Sequence, residues 1–75
     1  MDYCGWGREY LGEALRLKRH AVPLRARLAG LRGEDRALLA RRIAMLNEMY
    51  LECLHTGREL IERGKFYEAR LRSEL

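Results

Sequence analysis

Seventy-five residues carrying fifteen Lys and Arg against eleven Asp and Glu, a net charge of +4, make one domain (1–75) with a small core. Two cysteines and two histidines exclude a disulfide framework and lack the closely spaced pairs of a structural zinc site. No run approaches the roughly 18 uncharged apolar residues of a membrane span, and residues 1–13 carry Asp2, Glu9 and Glu13 and no apolar signal segment, so a soluble cytoplasmic chain with reduced thiols is expected.

Asp2 can cap a helix that carries Tyr3, Trp6 and Tyr10. Gly5 and Gly7 each weaken that helix by about 1 kcal/mol relative to Ala, so residues 1–7 read either as its first turns or as an irregular arm. The firm pattern covers about 8–32. Its stripe, extended to both ends, runs Tyr3, Gly7, Tyr10, Ala14, Leu17, Ala21, Leu24, Leu28 and Leu31, in alternating steps of three and four. Pro23 interrupts this helix away from the stripe; a kink is expected there rather than a break at Val22.

Gly30 and Gly33 flank a tight connection, with Gly33 a candidate C-cap of the first helix. Glu34 and Asp35 complement the N-terminus of a second helix over about 35–63 or beyond, with Gly64 a possible end. The second stripe is Leu39, Ile43, Leu46, Tyr50, Cys53, Gly57, Leu60, Gly64, Tyr67 and Leu71. Folded near Gly33, the two stripes meet in layers: Leu28 with Leu39, Leu24 with Ile43, Ala14 with Cys53, Tyr10 with Gly57, Tyr3 with Gly64. Most layers away from the turn set a small residue against a larger one, which lets facing helices interdigitate. The fold class is all-α, a long antiparallel two-helix hairpin.

Apolar residues also lie outside the stripes. Leu11, Leu15 and Val22 flank the first; Leu38, Met45 and Met49 lie on one flank of the second, Leu54 and Ile61 on the other. A helix apolar over so wide an arc has more than one neighbour. A homodimer closing into a four-helix bundle, or another protein on the same residues, is the expected cover.

Residues 14–33 hold six bases and no acid: Arg16, Lys18, Arg19, Arg25, Arg27 and Arg32. These can neutralise phosphates, which makes nucleic acid the alternative partner, but they wrap the helix rather than forming one recognition face. Arginine stems covering the seam explain them as well. Glu52 and His55 have Glu-x-x-His spacing, but Tyr50, Cys53 and Gly57 point inward and turn that pair outward, so no metal is expected. No nucleophile–base arrangement, phosphate loop or inward cluster of arginines is present, so neither catalytic residues nor a cofactor are assigned. The resulting expectation is a small non-enzymatic interaction protein, an adaptor or regulator.

Overall fold

The computed structural model describes residues 2–74, which form two antiparallel helices: α1 (Tyr3–Leu28) and α2 (Gly33–Glu74). They make a rod of 64 × 14 × 14 Å. The all-α hairpin expected from the stripes is the fold observed.

The start of α1 is set by Asp2. Its Oδ1 accepts from the Gly5 N–H at 2.8 Å and its carbonyl accepts from the Trp6 N–H at 3.0 Å. These bonds satisfy donors that the first turn otherwise leaves open, so the helix begins five residues before position 8. Pro23 lies inside α1, which continues through it. Pro23 and Arg19 are both exposed, so water can satisfy the Arg19 carbonyl that loses its partner.

The first helix stops at Leu28, not at position 32. The chain tightens through Gly30 N–H to Arg27 O (3.1 Å) and Leu31 N–H to Leu28 O (3.2 Å), and the Arg36 guanidinium donates to the Leu28 carbonyl at 2.6 Å. That carbonyl is an orphan of the helix end, and the arginine takes it up. Leu31 therefore leaves the helix and belongs to the connection. Gly33, expected to cap α1, instead opens α2 with φ +63°, the left-handed region that glycine enters without a steric cost. The second helix runs unbroken through Gly64 to Glu74.

The interior is narrow. In α1 the buried residues are Gly7, Ala14 and Ala21; in α2 they are Ile43, Gly57, Leu60 and Gly64. Apart from Leu60 these are spaced by multiples of seven within each helix, with half-buried Tyr50 between Ile43 and Gly57, so one position of each heptad lies closest to the partner helix. Small residues there let the backbones touch, as close helix pairs require. A Cβ at Gly7 would lie 2.7 Å from the Gly57 carbonyl oxygen, and one at Gly57 would lie 2.9 Å from the Gly7 oxygen and 2.8 Å from Leu11 Cδ2.

The expected layer of Tyr10 on Gly57 is therefore replaced. Leu11 and the Gly7 backbone occupy that space, and Tyr10 lies beside Trp6 and Cys53. Gly64 does receive Tyr3, together with Cys4. The helices are rotated from a symmetric seam so that the Gly7 and Gly57 backbones approach each other, which only the smallest residues allow. Cys4 is half-buried; its Sγ lies 3.8 Å from the Ile61 carbonyl oxygen.

Candidate interaction surface

Because the central seam consists mostly of glycine and alanine, it buries little apolar area. The buried hydrophobic side chains are Ala14, Ala21, Ile43 and Leu60, and no large side chain among the described residues is fully enclosed. Large apolar side chains accordingly face solvent on several sides.

The eight residues assigned from sequence to one partner surface fall on two faces. Leu11, Leu15 and Leu54 line a shared groove of about 300 Å³ with Lys18 and Tyr50. Val22 continues this face beside Lys18, Arg25 and Asn47. Ile61 extends it at the open end, where its Cγ1 packs over Gly7. Leu11, Leu54 and Ile61 are half-buried in the hairpin, whereas Val22 is 62% exposed.

The other face carries Leu38, which joins Arg27, Leu31, Asp35, Leu39 and Arg42 in a groove of about 370 Å³ near the turn. Met45 and Met49 follow Leu38 along the same edge of α2, and Met45 is 59% exposed. Further along this face Trp6, Glu9, Tyr10, Glu13 and Cys53 line a groove of about 290 Å³, with Trp6 and Tyr10 ring centroids 6.4 Å apart.

Sequence reasoning left out Trp6, Leu51, Phe66, Tyr67 and Leu71, all exposed. Leu51 was legible, since it lies three residues before Leu54 and so on the same side of α2. Tyr67 and Leu71 were assigned to the interior stripe, but α2 outruns α1 and leaves them little to pack on. Tyr67 keeps an edge-on contact with Tyr3, centroids 6.4 Å apart.

The six bases of residues 14–33, five on α1 and Arg32 in the connection, are exposed. Arg16 pairs with Glu13 at 3.3 Å, and Lys18 Nζ lies 6.0 Å from the Tyr50 ring centroid. Folding brings Arg36, Arg41 and Arg42 of α2 level with them. Residues 16–51, the half that contains the turn, hold nine bases and three acids, net +6; residues 2–15 and 52–74 hold six bases and eight acids, net −2. The hairpin is therefore electrically polar along its length.

His55 Nε2 lies 3.4 Å from Glu59 Oε1 on the exposed side of α2. Among the described residues no three His, Cys, Asp or Glu side chains come together as a metal cradle. Cys4 and Cys53 are free thiols. Among the described residues no helix is long and apolar enough to cross a membrane.

The fold and surface define the chain as an antiparallel helical hairpin with two apolar faces. No protein-family model, curated protein or solved structure matches it.

Proposed function

We propose that this chain is a non-enzymatic cytoplasmic binding protein, an adaptor or regulator, that works as a self-associated helical hairpin in a four-helix bundle. The supporting observation is the mismatch between interior and surface: among the described residues four hydrophobic side chains are buried while Leu15, Val22, Leu38, Met45, Met49 and Leu51 are exposed. A core this small falls short of the about 3–5 kcal/mol that a short single domain draws from packing, and a second layer of helices is the usual remedy. The free thiols of Cys4 and Cys53 fit a reducing compartment. Sedimentation velocity from 1 to 100 µM tests the reading (concentrations on the order of common association constants). A species of two chains is expected; a monomer throughout refutes it.

A second reading, nucleic-acid binding, has one observation in its favour, the net charge of +6 in the half that contains the turn. Titration of duplex DNA and RNA at several salt concentrations tests it. Affinity that falls steeply with salt supports phosphate contact, and no binding at low salt ends the idea.

A further inference from the structure

Resting on the self-association reading, we infer that the occupant of the Tyr10–Leu17–Leu24 face of the hairpin is a second copy of this chain, packed antiparallel about a twofold axis at the level of His20 and Asn47. Three observations carry this.

The first concerns which face is built as a core. One position of each heptad lies closest to the partner helix, with Leu11, Leu60 and Ile61 packing beside it. The other stripe position contributes Tyr10, Leu17 and Leu24 from α1 and Leu39, Leu46 and Cys53 from α2; Tyr10 and Cys53 line the groove of Trp6 and Leu39 that of Arg27, while Leu17 and Leu46 lie at the seam and also line the groove of Lys18, Val22 and Arg25. All six are half-buried, and no charged residue occupies that position from Tyr3 to Leu24 or from Leu39 to Leu60. The equivalent positions on the opposite face include Lys18 and Arg25. Covering that face would bring like charges toward a bundle centre, which is costly without partners.

The second is that the chosen face is self-complementary in charge. Toward the open end it has the aromatic, acidic groove of Trp6, Glu9, Tyr10, Glu13 and Cys53. Toward the turn it has the basic groove of Arg27, Leu31, Leu39 and Arg42, which also contains Asp35. Glu13 and Arg27 are each seven residues from His20, and Cys53 and Arg42 are six and five from Asn47. The twofold rotation therefore lays each acidic groove on the partner's basic groove. Arg27 meets the partner's Glu13, and Arg42 reaches the partner's Cys53 and Glu52. Opposed patches of this kind set orientation and register. A parallel arrangement would instead place the two halves of net charge +6 side by side.

The third is size. With the axis at Asn47, α2 residues 33–61 lie along the same residues of the partner, an overlap of about 43 Å at 1.5 Å per residue. Two helix diameters give a width of about 20 Å, and the product matches the roughly 800 Å² per partner of a stable interface. The overlap covers Leu38, Met45 and Met49, whose exposure in the isolated hairpin is otherwise unexplained.

The experiment is a charge swap on the full chain, read by sedimentation equilibrium. Glu13 and Arg27 are exposed in the hairpin, so both substitutions leave the fold intact, which far-UV circular dichroism verifies. Glu13→Arg alone and Arg27→Glu alone are each expected to weaken dimerisation by about fivefold or more, because the twofold repeats every mismatch. The combined variant is expected to return to within about twofold of the parent, as restored charge complementarity requires. Loss of the Glu13–Arg16 pair cannot mimic this, since it persists in the combined variant. Single variants that dimerise like the parent, with Val22→Glu dissociating the protein, would overturn this face and leave self-association standing. A parent chain that stays monomeric would overturn both.

Discussion

Replacing Gly57 by alanine tests the close approach of the two helices most directly, because Gly12 supplies an internal control. Both glycines lie inside helices, where alanine is preferred by about 1 kcal/mol. Around Gly12 an added Cβ meets nothing within 4 Å, so Gly12→Ala is expected to stabilise the protein by about 0.5–1 kcal/mol. At Gly57 the same methyl would stand 2.9 Å from the Gly7 carbonyl oxygen and 2.8 Å from Leu11 Cδ2. The leucine tip can rotate away, but the carbonyl belongs to a helical backbone and cannot move alone. Overpacking of this kind costs about 1–3 kcal/mol, and against a rigid atom the upper half of that range applies. Subtracting the gain in propensity leaves Gly57→Ala destabilised by about 1 to 2 kcal/mol. For a chain of this size that is a fall in Tm of roughly 4–16 °C, opposite in sign to the control. Thermal unfolding followed at 222 nm measures both, with protein concentration held constant because association couples to stability. If Gly57→Ala stabilises as much as Gly12→Ala, the helices do not meet backbone to backbone, and the rotated seam described above is wrong.

Other expectations follow from single features. Gly33→Ala forces a side chain into φ +63° and should cost about 1–2 kcal/mol in urea unfolding, although the new methyl meets no neighbour. Asp2→Ala removes the acceptor of the Gly5 N–H and should cost about 1 kcal/mol, with amide exchange accelerated over the first turn of α1 alone. Arg36→Met, which keeps the stem but loses the bond to the Leu28 carbonyl, should destabilise by about 1 kcal/mol; no change in midpoint would mean that water replaces the guanidinium at no cost. Trp6 is the one tryptophan of the chain and lies in the acidic groove, so its emission should shift to shorter wavelength as concentration rises through the dimerisation range. Emission independent of concentration would place Trp6 outside the interface.

The hairpin was legible because both stripes keep a strict alternation of three and four, and because Gly33, Glu34 and Asp35 mark a turn followed by a helix start. What the pattern does not contain is rotation. Tyr10 and Gly7 belong to the same stripe, and spacing alone cannot say which of them meets Gly57. That choice depends on how near the backbones come, which depends on glycines stacking against one another across the seam. The same limit applies to the candidate surface. Helical spacing separates Leu54 from Met49 around α2, but joining Leu54 to Leu15 and Leu38 to Arg27 needs the handedness of the folded pair. The end of α1 was misjudged because Leu31 fits the stripe, while the residue that stops the helix, Arg36, is eight positions beyond the carbonyl it captures.

The regularity of the seam leaves the two helices free to slide. Gly7, Ala14 and Ala21 offer nearly the same surface at each repeat, and Gly57 and Gly64 answer with the same small profile seven residues apart. A translation of one repeat, about 10 Å, would still set small residues against one another at the open end, Gly7 against Gly64 and Ala14 against Gly57. What opposes it is the stretch Ala29–Arg32, which would have to extend and give up its turn bonds and the Arg36–Leu28 bond to follow such a displacement. The four residues between the helices thus act as the ruler of the molecule, and splicing a flexible segment into them should yield a chain that fluctuates between two alignments rather than one that unfolds.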